Sequence, residues 1–414
     1  MDDALIFTHA FLIDGTGAEP QEDATVVVAD GVIKEIAGPR EKTPRGRVVD
    51  LKGKTLMPGL IDAHVHAGNI EIRNHLTAQI GPAVYVLKTC RNLESDIDLG
   101  FTTLRDAAGL DPSFRTAVDQ GLLRGPRLAL SVTPLVQSGG STPVYGLGPD
   151  KPLARNALEV YPEVCDGPDQ VRAAARRALG RGADQIKLFA DGEVLAAQPA
   201  DRAKPGQWKF SIEELRAAVE VAEAAGTYVM AHAYTPRAIQ NAVVAGVRSI
   251  EHGNLLDEET ARRMAEKEAF YVPTLITYDL LSKGGKSIGL DEYSIEKLAL
   301  VGDSGRQAVE LAHRAGVKIG SGSDIVGPGQ HRKGEELVLK AEILGPMGAI
   351  VSATKTNAEL MNLADRLGTI VVGKLADLIV VDGNPLKNIG LFENGHRNVR
   401  LVLKEGRIMK GLLG

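Results

Sequence analysis

His64 and His66 lie two residues apart at the end of a short apolar run of Leu60, Ile61 and Ala63, so on a strand both imidazoles point to one side. Two convergent imidazoles make half a metal site. Pro58 and Gly59 set the entry to this run and Gly68 its exit. Lys187 sits inside a second apolar run, Gln185-Ile186-Lys187-Leu188-Phe189. A buried ammonium is costly and tends to lose its proton. A neutral amine can add CO2 to become a carbamate, whose two oxygens can bridge two cations. Read alone, Lys187 also fits a lysine paired with an inward carboxylate. Val229-Met230-Ala231-His232 and Ser249-Ile250-Glu251-His252 each close a strand-like run on a histidine, and Gly320-Ser321-Gly322-Ser323-Asp324 closes one on a carboxylate among small residues. One such residue at a strand end means little. Six candidate donors at the same end of five strands form a pattern.

Such donors meet only if the strands run parallel and their C-terminal ends converge. Residues 57–365 alternate strand-like apolar runs with amphipathic helical stretches, the sign of βα units. Eight runs are countable: Leu60 to His66, Thr102 to Arg105, Leu128 to Pro134, Gln185 to Phe189, Tyr228 to Ala233, Val247 to His252, Phe270 to Leu275 and Val317 to Asp324. Helices are expected over Val171 to Leu179, Ile212 to Ala225, Pro236 to Ala245, Glu258 to Lys267 and Gln307 to Ala315. The second of these opens on a Ser211/Glu214 capping box. The expectation is an α/β protein built on a (β/α)8 TIM barrel.

Short alternating strands at the start (Ala4 to Ile13, Ala24 to Val28, Val32 to Ile36, Val48 to Leu51) recur at the end (Ile370 to Val372, Ala376 to Val381, Arg400 to Lys404). Neither set is long enough to bury a core alone, which predicts one β-sandwich domain assembled from both termini. The expected division is 1–56 and 366–414 for the sandwich and 57–365 for the barrel. Three stretches after barrel strands are long: Gly139 to Pro168, Gly192 to Lys209 with the only tryptophan, Trp208, and Ile276 to Leu300, which carries its own helix. Loops at that end build the site in such barrels.

Bulk properties agree with a small-molecule enzyme. The 414 residues suit a barrel with a satellite domain, and 48 basic against 53 acidic residues offer no electrostatic reason to bind nucleic acid or an anionic membrane. Cys90 and Cys165 are the only cysteines, too few for a disulfide framework or a thiolate cluster. The acidic N-terminus lacks the pattern of a signal peptide, and no apolar run approaches a membrane span, so a cytoplasmic protein is expected. No G-x-G-x-x-G follows an early strand, which ranks a Rossmann-like binder last.

The ordered set His64, His66, Lys187, His232, His252 and Asp324 resembles, residue by residue, the binuclear metal site of the amidohydrolase superfamily, and Leu375-Ala376-Asp377-Leu378-Ile379-Val380 is similar to that family's C-terminal signature. The resemblance spans essentially the whole chain. It implies that His64, His66 and Asp324 hold one divalent metal and His232 and His252 the other, with carboxylated Lys187 and a hydroxide bridging them. Nitrogen and oxygen donors suit Zn2+, with Mn2+, Co2+ or Fe2+ as alternatives. Ala231-His232-Ala233-Tyr234, followed by Glu251-His252-Gly253, is most similar to the prolidase-like and carboxypeptidase-like branch, related to ochratoxin-type amidohydrolases.

The implied reaction is hydrolysis of an amide or peptide bond in a dipeptide, an N-acyl amino acid or a similar carboxylate-bearing amide. The bridging hydroxide would attack the carbonyl, with Asp324 as general base and then acid. Tyr234, two residues beyond a ligand, is a candidate donor to the oxyanion or the substrate carboxylate. Arg237, His331, Arg332 and Lys204 are candidate partners for that carboxylate. Two departures from the branch pattern touch specificity: Ser138-Gly139-Gly140-Ser141 lacks the histidine usual after paired glycines, and Ala190-Asp191-Gly192-Glu193 replaces the usual Thr-Gly-Gly. Alternatives are hydrolysis of a cyclic amide, lactone or xenobiotic carbamate, and a catalytically silent scaffold. A homo-oligomer is expected from the family.

Overall fold

Apolar residues alternating across strands at both ends of the chain bury one shared face. The computed structural model, which describes residues 4–39, 45–72, 80–138, 158, 160, 162–195 and 205–411, joins the two ends in one eight-stranded mixed sheet. Its first five strands are β1 (Leu5–Leu12), β2 (Gln21–Ala29), β3 (Val32–Ala37), β4 (Arg47–Asp50) and β5 (Thr55–Pro58). The barrel region supplies β6 (Leu60–Val65), β7 (Phe101–Asp106), β8 (Arg127–Leu130), β9 (Leu135–Val136), β10 (Glu163–Val164), β11 (Ile186–Phe189), β12 (Val229–Ala233), β13 (Ser249–His252), β14 (Phe270–Val272) and β15 (Lys318–Ile319). The end of the chain adds β16 (Leu378–Val381), β17 (Val399–Lys404) and β18 (Arg407–Lys410). The sheet of the two ends runs β18-β17-β16-β5-β1-β2-β3, with β4 on β1. Its centre is the antiparallel pair β5–β16, in which Pro58 faces Leu378 and Thr55 faces Val381. Phe7, Ala10, Val26, Val28, Leu56, Leu378, Val380 and Leu403 form its core.

Two details differ from the sequence expectation. Ile370 to Val372 is not a strand: Ile370 N bonds to Asp14 O, and Val371 and Val372 are exposed. β18, which reads as polar Arg407 and Lys410 around two apolar residues, was not anticipated and forms an edge of the sheet.

All eight expected barrel strands are present at the expected places, and neighbouring strands pair in parallel. The arrangement is an α/β, TIM-barrel-like fold. Its ladders fall into a three-stranded sheet, β6-β7-β8, and a seven-stranded sheet, β10-β9-β11-β12-β13-β14-β15, and among the described residues they do not run on as one closed cylinder. Isolated backbone bonds span both gaps. Ala63 N donates to Ser321 O and Asp324 N to His64 O at one, and Asp184 N donates to Leu130 O at the other.

The helices of eight or more residues among the described residues are α1 (Pro82–Asp98), α2 (Pro112–Asp119), α3 (Gly167–Gly180), α4 (Ile212–Ala224), α5 (Pro236–Ala245), α6 (Glu258–Glu266), α7 (Leu275–Gly284), α8 (Glu292–Val301), α9 (Gly305–Arg314) and α10 (Glu335–Val351). α4 begins where the capping box predicts: Ser211 Oγ accepts from Glu214 N, and the Glu214 carboxylate accepts from Ser211 N. The loop after β14 holds two helices, α7 and α8, where one was expected. Contrary to the expectation from sequence, residues 335–360 are long and apolar enough to cross a membrane by length and composition. The stretch is interrupted at Gly345, whose φ of 70° leaves the helical region, followed by Pro346. It also begins on a buried ion pair, Glu336 with Lys340.

The eight-stranded sheet is tied to the entry ends of β6–β8. Arg127 on β8 pairs with Asp377 at 2.8 Å and Glu405 at 2.7 Å, and Lys404 Nζ donates to Gly125 O. The opposite strand ends are left for the site.

Candidate metal centre

Two strand ends, that of β6 and the segment after β15, bring His64, His66 and Asp324 together. Period-two alternation puts both β6 histidines on the inner side, and Asp324 reaches them because its backbone follows β6: Asp324 N donates to His64 O. Gly322 makes the approach possible, since a Cβ there would lie 2.5 Å from His64 Cβ and 2.6 Å from Val272 Cγ1. Asp324 Oδ1 is 3.3 Å from His66 Nε2 and 3.5 Å from His64 Nε2, and one donor atom from each of the three lies within 4.8 Å of the others. His252 lies beside them, its Nδ1 3.8 Å from Asp324 Oδ2. Ring centroids are 4.9 Å apart for His64–His252 and 4.5 Å for His232–His252, so all four imidazoles pack side by side.

Each histidine that offers a nitrogen to a cation needs its other nitrogen fixed. His66 Nδ1 lies 3.1 Å from Ala108 O, and His232 Nε2 lies 3.1 Å from Gly192 O. His252 Nδ1 lies 2.9 Å from Thr274 Oγ1. His64 Nδ1 lies 2.6 Å from Glu251 Oε2. Arg105 in turn clamps Glu251 at 2.9 and 3.1 Å and donates to Ala63 O and Ser249 Oγ, all within fully buried surroundings. His64 Nε2 is buried and makes no hydrogen bond. An orphaned imidazole nitrogen beside a carboxylate fits a cation, and hydrogen-bond satisfaction in native cores makes the orphan informative.

Electrostatics point the same way. Burial, and next the charge of Lys187, hold His64 well below its ordinary pKa and His232 at about 3, while burial and then His232 and His64 do the same for His252. These imidazoles are neutral near pH 7, as metal ligation requires. Lys187 lies buried on β11, and burial pulls its pKa down to about 8 against the carboxylates of Glu251 and Asp324.

Tyr234 is buried beside these rings, its centroid 4.6 Å from His232 and 5.6 Å from His252, and its oxygen accepts from Tyr278 OH at 2.9 Å. Arg237 instead lies with its guanidinium 4.5 Å from the centroid of the Trp208 ring, Arg332 pairs with Glu335, and exposed His331 bonds Pro328 O. Among the described residues, none of these three forms a hydrogen bond or ion pair with the six donors. Lys204 and the loop residues 139–157 fall outside the described residues. Sequence reasoning missed Arg105 and Glu251. A signal was available: like Lys187, Arg105 is a cation inside a run expected as a barrel strand.

Comparison with known proteins adds the family. A family model described as the amidohydrolase family matches residues 55–409. Ochratoxinase of Aspergillus niger is 31% identical over 98% of this chain and 86% of its own length. A crystal structure of a prolidase complexed with N-methylphosphonate-L-proline is 38% identical with a TM-score of 0.93, covering 99% of this chain and 100% of that one. A crystal structure of a Xaa-Pro dipeptidase with bound methionine in the active site is 31% identical with a TM-score of 0.89, at the same coverages.

Proposed function

This chain belongs to the amidohydrolase family, in its prolidase-like branch, as a hydrolase of amide or peptide bonds acting on a small molecule, and from that premise we propose a binuclear enzyme that cleaves dipeptides or N-acyl amino acids. The observation that carries the reading is the partnerless His64 Nε2 facing Asp324 and His66, with Lys187, His232 and His252 around it. His64, His66 and Asp324 would hold one divalent ion and His232 and His252 the other, with Lys187 as its carbamate between them. A metal pair of this kind, most readily Zn2+ for these donors, supplies a Lewis acid for the carbonyl and a water made acidic enough to react near neutrality.

The chain's own residues supply the rest. Asp324 Oδ accepts the proton of the attacking water and returns it to the leaving nitrogen. Tyr234, with its oxygen already accepting from Tyr278, retains its own O–H to donate to the substrate oxyanion or carboxylate. The apolar cluster of Val194, Tyr234, Tyr278, Leu281, Leu290 and Leu298 gathers the end of β12 with the loops after β11 and β14 into a wall that excludes water. The same reading takes 57–365 as a closed barrel and the sheet of 1–56 and 366–414 as a sandwich folded on itself. It also takes the enzyme as a cytoplasmic homo-oligomer.

The test is metal analysis of the purified protein, with turnover assayed on Xaa-Pro dipeptides, N-acyl amino acids, ochratoxin-type amides, cyclic amides and carbamates. Two metals per chain and preferential cleavage of the first two classes are expected. One metal per chain, or preference for ring substrates, would overturn the proposal.

A further inference from the structure

The loop after β11 begins on Asp191, at a position where the sequence departs from the branch pattern. Its side chain is fully buried, and both oxygens are occupied by backbone donors. Oδ1 accepts from Gly192 N and from Gly206 N, each at 2.8 Å. Oδ2 accepts from Tyr234 N at 3.3 Å, Thr235 N at 3.0 Å and Thr235 Oγ1 at 2.6 Å. One carboxylate thus ties the two ends of a long loop to each other and ties both to the end of β12. Lys209 N, donating to Ala190 O, seals the same base, and Gly206, with φ of 100°, makes the bend that brings its amide to Asp191.

Two consequences reach the site. Gly192 is held through its N–H, and its carbonyl lies 3.1 Å from His232 Nε2. A carbonyl has no proton to give, so Nε2 carries the imidazole proton and Nδ1 carries the lone pair. Any cation held by His232 is therefore held through Nδ1. The other oxygen fixes the amides of Tyr234 and Thr235, and with them the segment on which the Tyr234 phenol stands. We propose that Asp191 is a positioning residue that sets, through one carboxylate, the tautomer of His232 and the placement of Tyr234. A neutral hydroxyl or amide has too few acceptor lone pairs to serve both arms. The role of His232 as a ligand rests on the binuclear reading above; the tautomer does not.

The test uses the metal-free full chain and its reconstituted form, comparing wild type with Asp191→Ala and Asp191→Asn. In long-range nitrogen–proton spectra of the metal-free protein, wild-type His232 is expected in a single Nε2–H form, and Asp191→Ala to show mixed tautomers. On reconstitution, the second metal equivalent is expected to bind Asp191→Ala at least about tenfold more weakly, the effect usual for residues that orient a ligand. The first equivalent should change less than about twofold. Should Asp191→Ala not fold, Asp191→Asn keeps the volume but replaces one acceptor by an amino group. It must then lose either the pure His232 tautomer or the slow amide exchange of Tyr234 and Thr235. A single tautomer with unchanged exchange in the folded variants overturns the proposal, as does equal weakening of both metals alongside lowered thermal stability and an unchanged tautomer. Wild type that binds one metal sinks the binuclear reading instead, while the tautomer measurement still decides the role of Asp191.

Discussion

Lys187 is the residue at which the chemistry of the site depends most directly on pH. Its ordinary pKa of 10.5 is drawn down to about 8 because burial removes water from the ammonium faster than Glu251 and Asp324 can replace it. Between pH 8 and 10.5 the folded chain binds fewer protons here than the unfolded one, so stability from this group rises with pH across that window. Below 8 the burial penalty is fully present. The neutral amine, the form that adds CO2, falls tenfold for each pH unit below about 8. Reconstitution of the metal-stripped protein at fixed dissolved CO2 should therefore speed up about tenfold from pH 6 to 7, and level off above about 8. A rate flat from pH 6 to 9 would show that Lys187 does not enter as a carbamate.

The six candidate donors stood out because five are ionisable residues at the tip of an apolar run and Lys187 is a cation inside one. The residues that aim them were less so. Glu251 reads as a mere neighbour of His252, and Asn357 gives no sign in the sequence that it touches β6. Their partners are close in space and far along the chain, as with Arg105 and Glu251, which period and propensity cannot join.

At the scale of elements, the strand ends carry the strain. Val132 follows β8, His252 ends β13, Thr274 follows β14, and Asp324 closes the segment after β15. All four are non-glycine residues with φ between 50° and 72°. Left-handed backbone at such residues costs of order 1–3 kcal/mol each and persists where the surroundings over-determine it. For Asp324 the surroundings are visible: Asp62 accepts from Ser323 N at 3.0 Å and Ser323 Oγ at 2.6 Å. Asn357 donates to Ile61 O at 2.6 Å and Ser321 O at 2.8 Å while accepting from Ser321 N. Asn357→Ala removes the side-chain acceptor of Ser321 N and a donor from each of Ile61 O and Ser321 O, of which Ser321 O keeps Ala63 N. It should lower stability by about 1–3 kcal/mol, read from denaturant unfolding, and weaken binding of the metal proposed for His64, His66 and Asp324. Loss of stability with unchanged metal affinity would show that Asn357 braces the strand and not the ligand. This is also why the last barrel strand was read too long, Val317 to Asp324 against an observed ladder of Lys318–Ile319. Its far half is held by isolated backbone bonds and by side chains from distant parts of the chain, which leave no trace in a period-two pattern, whereas the capping box and the apolar face of α4 are local and were read nearly to the residue.

The whole molecule depends on its two ends meeting. β5 and β16 lie at the centre of the eight-stranded sheet, and Thr55 Oγ1 donates to the carbonyl of Gly383, 328 residues further along. Removing residues 378–414 would uncover the β5 edge and the apolar face of Leu56, Phe7 and Val26. Such a chain should partition into the insoluble fraction, whereas removal of 412–414 alone should leave a soluble enzyme; soluble, active protein from the longer deletion would show that the barrel stands by itself. The same join sets a schedule on the ribosome. At roughly 5–20 residues per second, the first five strands emerge and then wait on the order of half a minute before β16 is made. During that interval β5 presents an unpaired edge to every neighbouring nascent chain. The enzyme's yield in a cell should therefore fall when that edge is left uncovered while the barrel is still being synthesised.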